Sequence, residues 1–421
     1  MKTVRINMCC VAIAAMCGVM AHGAATDTGS AFGKFGDLQA YIDAVAATGG
    51  GRVNVPPGIH RVRPLRLRSG IELHLEKDAV LLSPTNLEAF AEWKDVKSIA
   101  YPDALPRRRN ASFIFADACH DVSITGEGTI DCNGDAFVKP KTGNAWRGWH
   151  FVRKVPMEKS LPRVVFFTGC SNVTVRGITI AHPPAGWSTW FHACDNLLVE
   201  NVKVFADVRY PNNDGIHVNS CHNVIVRNCD IETGDDSIIV RANNRSLAEN
   251  RACENVVVSN CTIRSWSAGV RLGWSNDGLI RNCLFRDLRM RDTSVGISYS
   301  LPSPDVCGPD HGREATSLDN IVFENITMDG IYGRPILITY GRRDKGTLIG
   351  PIRNLVFRNV TSRGLEKPIF QARPENPIEG VRFENCRFEV VGDDVLPGYE
   401  RHGAADWGRR RGKKSDVEFP F

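Results

Sequence analysis

A short run of alternating apolar and polar residues, broken by Gly or Asn and then resumed, recurs along most of this chain. It reads CSNVTVRGITI (170–180), CDNLLVENVKV (194–204), CHNVIVRNCDI (221–231) and CENVVVSNCTI (253–263). It continues as LDNIVFENITM (318–328), IRNLVFRNVTS (352–362) and IEGVRFENCRF (378–388). Alternation at period two marks a strand with one buried face. Gly or Asn between two such runs suits a bend with left-handed backbone angles. The unit returns about every 22 to 34 residues, with one longer gap, and no helical pattern lies inside it. A strand-only repeat of that period stacks as a parallel β-helix, each turn burying its apolar face with its neighbours. The expected fold is all-β, and one coil can use all of a 421-residue chain as a single domain.

In that arrangement Asn201, Asn228, Asn260, Asn282, Asn325, Asn359 and Asn385 fall at one corner of successive rungs. Stacked about 4.8 Å apart, their amides bond one another and the turn backbone, a structural role. A second strand repeats as well: DGIHV (214–218), DSIIV (236–240), AGVRL (268–272), VGISY (295–299), RPILI (334–338) and KPIFQ (367–371). Its third positions are apolar and point into the coil. Its fourth positions (His217, Ile239, Arg271, Ser298, Leu337 and Phe370) are expected to point outward, one above another.

This alignment puts Asp214 and Asp236 at the same place on neighbouring rungs, with Asp235 beside the second. Stacked like charges are unfavourable, and ordinary sheets avoid them. A capping role at a bend explains one aspartate but not three. Crowded carboxylates cannot all ionise cheaply, so one is expected to keep its proton near neutral pH. A protonated carboxyl beside ionised ones is what glycosidic bond hydrolysis requires. Asp214, Asp235 and Asp236 are therefore the candidate catalytic residues. The residues alone leave open which is the acid.

At these positions the chain resembles glycoside hydrolase family 28, the polygalacturonases and rhamnogalacturonases. Asn212-Asn213-Asp214-Gly215 is similar to the family's N-T-D-G motif, and Gly234-Asp235-Asp236 to its G-D-D motif. Earlier markers are GGGRVNVPPGIHRVRPLRLRSGIELHLEKDAVLL (49–82) and SITGEGTIDCNGDAF (123–137). The resemblance implies a right-handed parallel β-helix and an inverting hydrolase without a metal cofactor. Asp235 would be the general acid, and Asp214 and Asp236 would hold and activate the water. It also marks departures. Where the family carries G-H-G this chain has Ser267-Ala268-Gly269, and where it carries R-I-K this chain has Ser298-Tyr299-Ser300. The cations that would grip a galacturonate carboxylate are missing from those positions. His217 and Arg241 match places with family precedent, and Arg271 lies one rung before Ser298. These three are the candidate substrate-binding residues, with Trp274 and Tyr299 as a sugar platform. Poor activity on plain polygalacturonan and better turnover of a rhamnogalacturonan follow from the departures.

The opening MKTVRINMCCVAIAAMCGVMAHGAA has a basic start, an apolar stretch and small residues after it, the pattern of a secretory signal peptide. Its apolar run is too short to span a bilayer, and no later segment is long enough. The expected organisation is a leader over 1–24, a β-helix over 25–395 and a basic tail over 396–421, in a secreted or periplasmic monomer. Of fourteen cysteines, Cys9, Cys10 and Cys17 lie in the leader. Most of the rest occupy fixed repeat positions, where thiols behave as small buried hydrophobes rather than as bridges. No His/Cys cluster suggests a metal. The formal charge of +5 is too small to argue for nucleic acid, and its one dense run, Arg409 to Lys414, sits in the tail. The insertion from Cys132 to Pro162, with Trp146 and Trp149, would narrow a groove and favour exo action. The partner expected is a polysaccharide or oligosaccharide. Two other readings stand beside hydrolysis. One is a lyase on the same fold, with the aspartates on Ca²⁺ and Arg271 as base; the other is a glycan-binding β-helix without catalysis.

Overall fold

The computed structural model describes residues 37–105, 110–142, 150–155, 161–301, 312–340, 348–372 and 376–392. The leader and basic tail expected from the sequence lie outside them. Strands Ile216–Asn219, His222–Arg227 and Asp230–Thr233 make one turn of a coil, and Ile238–Arg241, Cys253–Ser259 and Thr262–Ser265 make the next. Each pairs in parallel with its counterpart one turn away. The result is a right-handed parallel β-helix, the hand that parallel crossovers almost always take. A ten-stranded sheet, from Leu65–Arg66 to Ile369–Phe370, carries the DGIHV-type strands along one side.

Inward positions stack in columns. Val175, Val199, Val226, Val258, Phe285, Phe323, Phe357 and Phe383 stand in register through eight turns. The four phenylalanine rings lie nearly parallel, with centroids 4.9, 5.1 and 4.9 Å apart. Cys170, Cys194, Cys221 and Cys253 form another column, each one residue before strand positions that pair in register or at the head of such a strand. The described cysteines are free and mostly buried. Cys194 Sγ donates to the carbonyls of Phe167 and His192, both at 3.5 Å, so the thiols serve as small buried donors.

The corners hold two asparagine ladders rather than one. The first runs through Asn172, Asn196, Asn223, Asn255, Asn282 and Asn320, each amide donating to the one before it. The second includes the Asn228–Asn260 pair and the Asn325–Asn359–Asn385 series. Asn282 therefore belongs to the first ladder, not to the second as expected. On that turn the second ladder is continued by Asp287, whose carboxylate accepts from Asn325. All these residues have φ near +55°, a conformation that costs most side chains about 1–2 kcal/mol but that Asn tolerates. Asn223→Ala is expected to lower stability by about 1–2 kcal/mol through the strained backbone and two lost amide bonds. Asn223→Gly should recover part of that loss, and chemical denaturation of the two variants measures it.

The last repeat of the outward series also differs from expectation. Leu337 pairs with Ile369, and Phe370 pairs with Ile338. Phe370 therefore points inward, edge-on to Phe357 at 5.9 Å and to Phe383 at 5.6 Å. Aromatic burial moves the register by one residue, and a one-residue slip exchanges the two faces. Tyr299 is likewise interior and donates its hydroxyl to Thr316 O at 3.0 Å. It is not a sugar platform.

The two mouths of the coil differ. The helix Leu38–Ala47 lies over the first turn, capped by the Asp37 carboxylate accepting from Gln39 N at 2.9 Å. Its Leu38, Tyr41 and Ile42 are buried. At the other end, strands Ile378–Glu379, Arg382–Glu384 and Arg387–Val390 alternate half-buried and exposed residues. No described helix is long and apolar enough to cross a membrane.

Candidate active site

Two turns, 210–215 and 233–236, lead into neighbouring strands of the ten-stranded sheet, and one buried amide joins them. Asn213 Oδ1 accepts from Gly234 N at 2.8 Å and Asp235 N at 3.2 Å, while its Nδ2 donates to Asp207 O at 2.7 Å. The turns approach so closely that side chains are excluded. A Cβ on Gly215 would sit 2.3 Å from Ser237 O, and one on Gly234 would sit 2.2 Å from Tyr210 O. Glycine is what lets the backbones meet. The structure thus brings Asp214, Asp235 and Asp236 together: each offers a carboxylate oxygen within 4.8 Å of the other two, and all are buried.

Their surroundings differ. Asp235 Oδ2 accepts from Asn212 Nδ2 at 3.0 Å and Asn212 N at 3.3 Å, and its Oδ1 accepts from Asp236 N at 3.0 Å. Asp236 Oδ1 accepts from Ser267 Oγ at 2.7 Å and Ala268 N at 3.1 Å, and its Oδ2 faces Arg271 Nε at 3.5 Å. Where the family motif would place a histidine, this chain supplies a main-chain N–H to Asp236. Asp214 Oδ2 lies 3.2 Å from His217 Nε2.

His217, Ile239, Arg271 and Ser298 stand in register on the outer side of the sheet, as expected. Even so, His217, Arg241 and Arg271 are all buried. Arg271 donates to Ser300 O at 2.7 Å and lies 4.3 Å above the Trp274 ring. Arg241 covers the same ring at 5.5 Å and grips the buried Asp277 with two bonds of 2.8 and 2.9 Å. The His217 ring is flanked by Trp187 at 4.7 Å and Trp190 at 5.0 Å, and these two indoles stack 4.8 Å apart. Arg163 lies over both, at 5.0 and 5.3 Å. Aromatic rings and cations are packed together here, and they attract one another most strongly where water is excluded.

The loop before Asp214 is braced by charge. Burial pushes the Asp207 carboxyl up, but bonds from Arg209 more than offset this and leave it below its usual range. Tyr210 donates to Asp135 at 2.9 Å, and burial together with that carboxylate raises its pKa. Phe151, in the antiparallel pair Val138–Pro140 and Phe151–Arg153, packs on Tyr210 at 4.7 Å. The inserted arm therefore rests on the loop that carries Asp214; its Trp146 and Trp149 lie outside the described residues. His192 is near Trp190, 6.0 Å between rings, but burial drives its pKa down to about 3 and its ring nitrogens face Thr168 and Asn243 O.

Sequence reading missed Trp187, Trp190, Ser267 and Asp277. Trp190 lies on strand Thr189–His192, whose last residue is two ahead of a Cys-x-Asn repeat. Strand Ile216–Asn219 ends at the same offset, and that offset was the available signal.

The sequence profile of Glycosyl hydrolases family 28 matches residues 105–395. A probable polygalacturonase of Vitis vinifera is 29% identical over 50% of this chain and 43% of its own length. An endo-polygalacturonase of Pectobacterium parmentieri is 24% identical over 77% of this chain and 76% of its own length. The match thus spans less than half of the first of these relatives. Among solved structures, a hyperthermoactive exopolygalacturonase from Thermotoga maritima superposes with a TM-score of 0.63 at 20% identity, covering 84% of this chain and 83% of its own. A polygalacturonase from Erwinia carotovora ssp. carotovora gives 0.61 at 17% identity, over 88% and 93%. At these identities the superpositions bear on the fold.

Proposed function

This chain belongs to glycosyl hydrolases family 28, and from that premise we propose that it is an exported hydrolase of a pectic-type polysaccharide or oligosaccharide. The observation that carries the reading is the meeting of Asp214, Asp235 and Asp236 across two adjacent turns, with oxygens within 4.8 Å of one another. In the reaction, one carboxylic acid gives its proton to the glycosidic oxygen as the bond to the anomeric carbon breaks. A water attacks that carbon and gives its proton to a second carboxylate. By the family resemblance Asp235 is the acid, and Asp214 and Asp236 hold the water between them. The mature chain of this reading is the β-helix over 25–395 with the tail over 396–421, after loss of a leader over 1–24.

Inversion also comes from the resemblance. The spacing of the nearest oxygens is shorter than the about 6.5–9.5 Å between carboxyl groups in most inverting enzymes. The anomer released first therefore decides the stereochemistry. Against a polygalacturonan and rhamnogalacturonan panel, the expected result is hydrolysis with a new reducing end, faster on rhamnogalacturonan, read by product chromatography and by nuclear magnetic resonance of the first product.

A lyase reading has one observation in its favour, because three crowded carboxylates also suit a hard cation. Against it, donors already meet both oxygens of Asp235 and Oδ1 of Asp236, and Asp236 Oδ2 is ion-paired with Arg271. Hydrolysis that survives a chelator and yields no unsaturated sugar separates the two. No cleavage of any glycan in the panel would leave the binding scaffold.

A further inference from the structure

We infer that His217 is a positioning residue for Asp214, holding its carboxylate toward the reacting water rather than contacting the sugar. The inference rests on the reading of Asp214 as part of the water-activating pair.

An ionised carboxylate only accepts hydrogen bonds, so with Asp214 ionised, as its part in activating water needs, the 3.2 Å contact between His217 Nε2 and Asp214 Oδ2 places the proton on Nε2. Such a bond fixes both the carboxylate's rotation and the tautomer of the ring. His217 is 2% exposed and Asp214 5%. Its ring packs against both members of the stacked Trp187–Trp190 pair, leaving little of it for a substrate.

The clamp is built at a cost. Trp187 has φ +75°, a left-handed conformation that strains a bulky L-residue and persists only where the surroundings enforce it. The enforcing contacts come from the active-site turn itself. Trp187 N donates to Asn212 O at 3.1 Å and Ser188 N to Asp214 O at 2.8 Å. The backbone of His217 is fixed as well, its N–H donating to Thr189 Oγ1 at 3.3 Å. The strained tryptophan, the imidazole and the aspartate are thus one unit, tied together through main chain and side chain.

The test uses the full chain acting on rhamnogalacturonan, with polygalacturonan as the second substrate. In His217→Gln the amide nitrogen reaches the place of Nε2, whereas in His217→Asn it reaches only that of Nδ1, and His217→Phe keeps a ring without a donor. The expected result is a kcat lowered about 10- to 100-fold in the Asn and Phe variants, the scale of a lost bond to a charged group. KM should stay within about 3-fold, since a positioning defect acts on the transition state. The Gln variant should recover most of the turnover. A KM that rises while kcat holds would return His217 to substrate contact and overturn the inference. Equal losses in all three variants, matched by equal losses of thermal midpoint, would reduce it to a packing residue. Asp214→Asn serves as the control. Full activity there would overturn the reading of Asp214 itself, whereas an inactive Asp214→Asn beside fully active His217 variants would overturn only the present inference.

Discussion

Asp235→Asn abolishes hydrolysis in the expected outcome, with turnover down by about 10²- to 10⁴-fold or more, the range of general acid–base catalysis. The side chain belongs to the turn before strand Ile238–Arg241 and takes no part in the apolar columns within the coil. Asparagine is nearly isosteric but keeps one acceptor oxygen, so it accepts from Asn212 or from Asp236 N and not from both. The circular dichroism of the variant should stay close to wild type, with the unfolding midpoint lowered only by the one unmet donor. Asp214→Asn and Asp236→Asn should each lose most activity. In Asp236→Asn, Ser267 and Ala268 keep an oxygen to bind, but Arg271 loses its counter-charge. Retained turnover in all three variants would move the chemistry to another part of the molecule.

The second large effect concerns stability. Asp277 is fully buried and holds Arg241 through two short bonds. Asp277→Ala strips a buried guanidinium of this counter-ion, a change that typically costs about 3–5 kcal/mol. Replacing both partners with apolar residues of similar volume, as in Arg241→Met with Asp277→Leu, should recover much of that loss. Arg241 was a candidate sugar contact by sequence, and the experiment distinguishes the two roles. With a structural ion pair, Asp277→Ala lowers the unfolding midpoint and leaves KM nearly unchanged at a temperature where the variant is folded. A clear rise in KM there would favour a direct role in binding.

The coil was legible because its physics is local and periodic. Alternation at period two fixes which face of each strand is buried, and a corner Asn marks each turn, so strand stacking and the meeting of Asp214 with Asp236 follow from counting residues. Failures arose where long-range packing overrides the count. Asn282 was placed on the wrong ladder because its turn carries Asp287 at the second corner, and an aspartate with φ +55° does the same work there. Phe370 was placed outward because a shared Pro-Ile step suggested one alignment, while contact with Phe357 and Phe383 selects another. The Arg241–Asp277 pair spans 36 residues and lies outside the repeat. The tryptophan pair sits on a strand where Trp187 takes the place of the leading Asp, so the pattern that found Asp214 passed over it.

Unequal mouths have a consequence for how copies of this protein avoid one another. Every β-helix ends in sheet edges with unused backbone donors and acceptors, and such edges template the joining of chains. At the first turn the plug formed by Leu38, Tyr41 and Ile42 denies an incoming strand a place to lie. At the last described turn the deterrent is electrostatic instead. Glu379, Arg382, Glu384, Arg387 and Glu389 are exposed there, and a strand added in register would have to bury or match each charge in turn. The first barrier is steric and indifferent to ionic strength. The second weakens as salt screens it, so edge pairing at the last described turn should be promoted by salt.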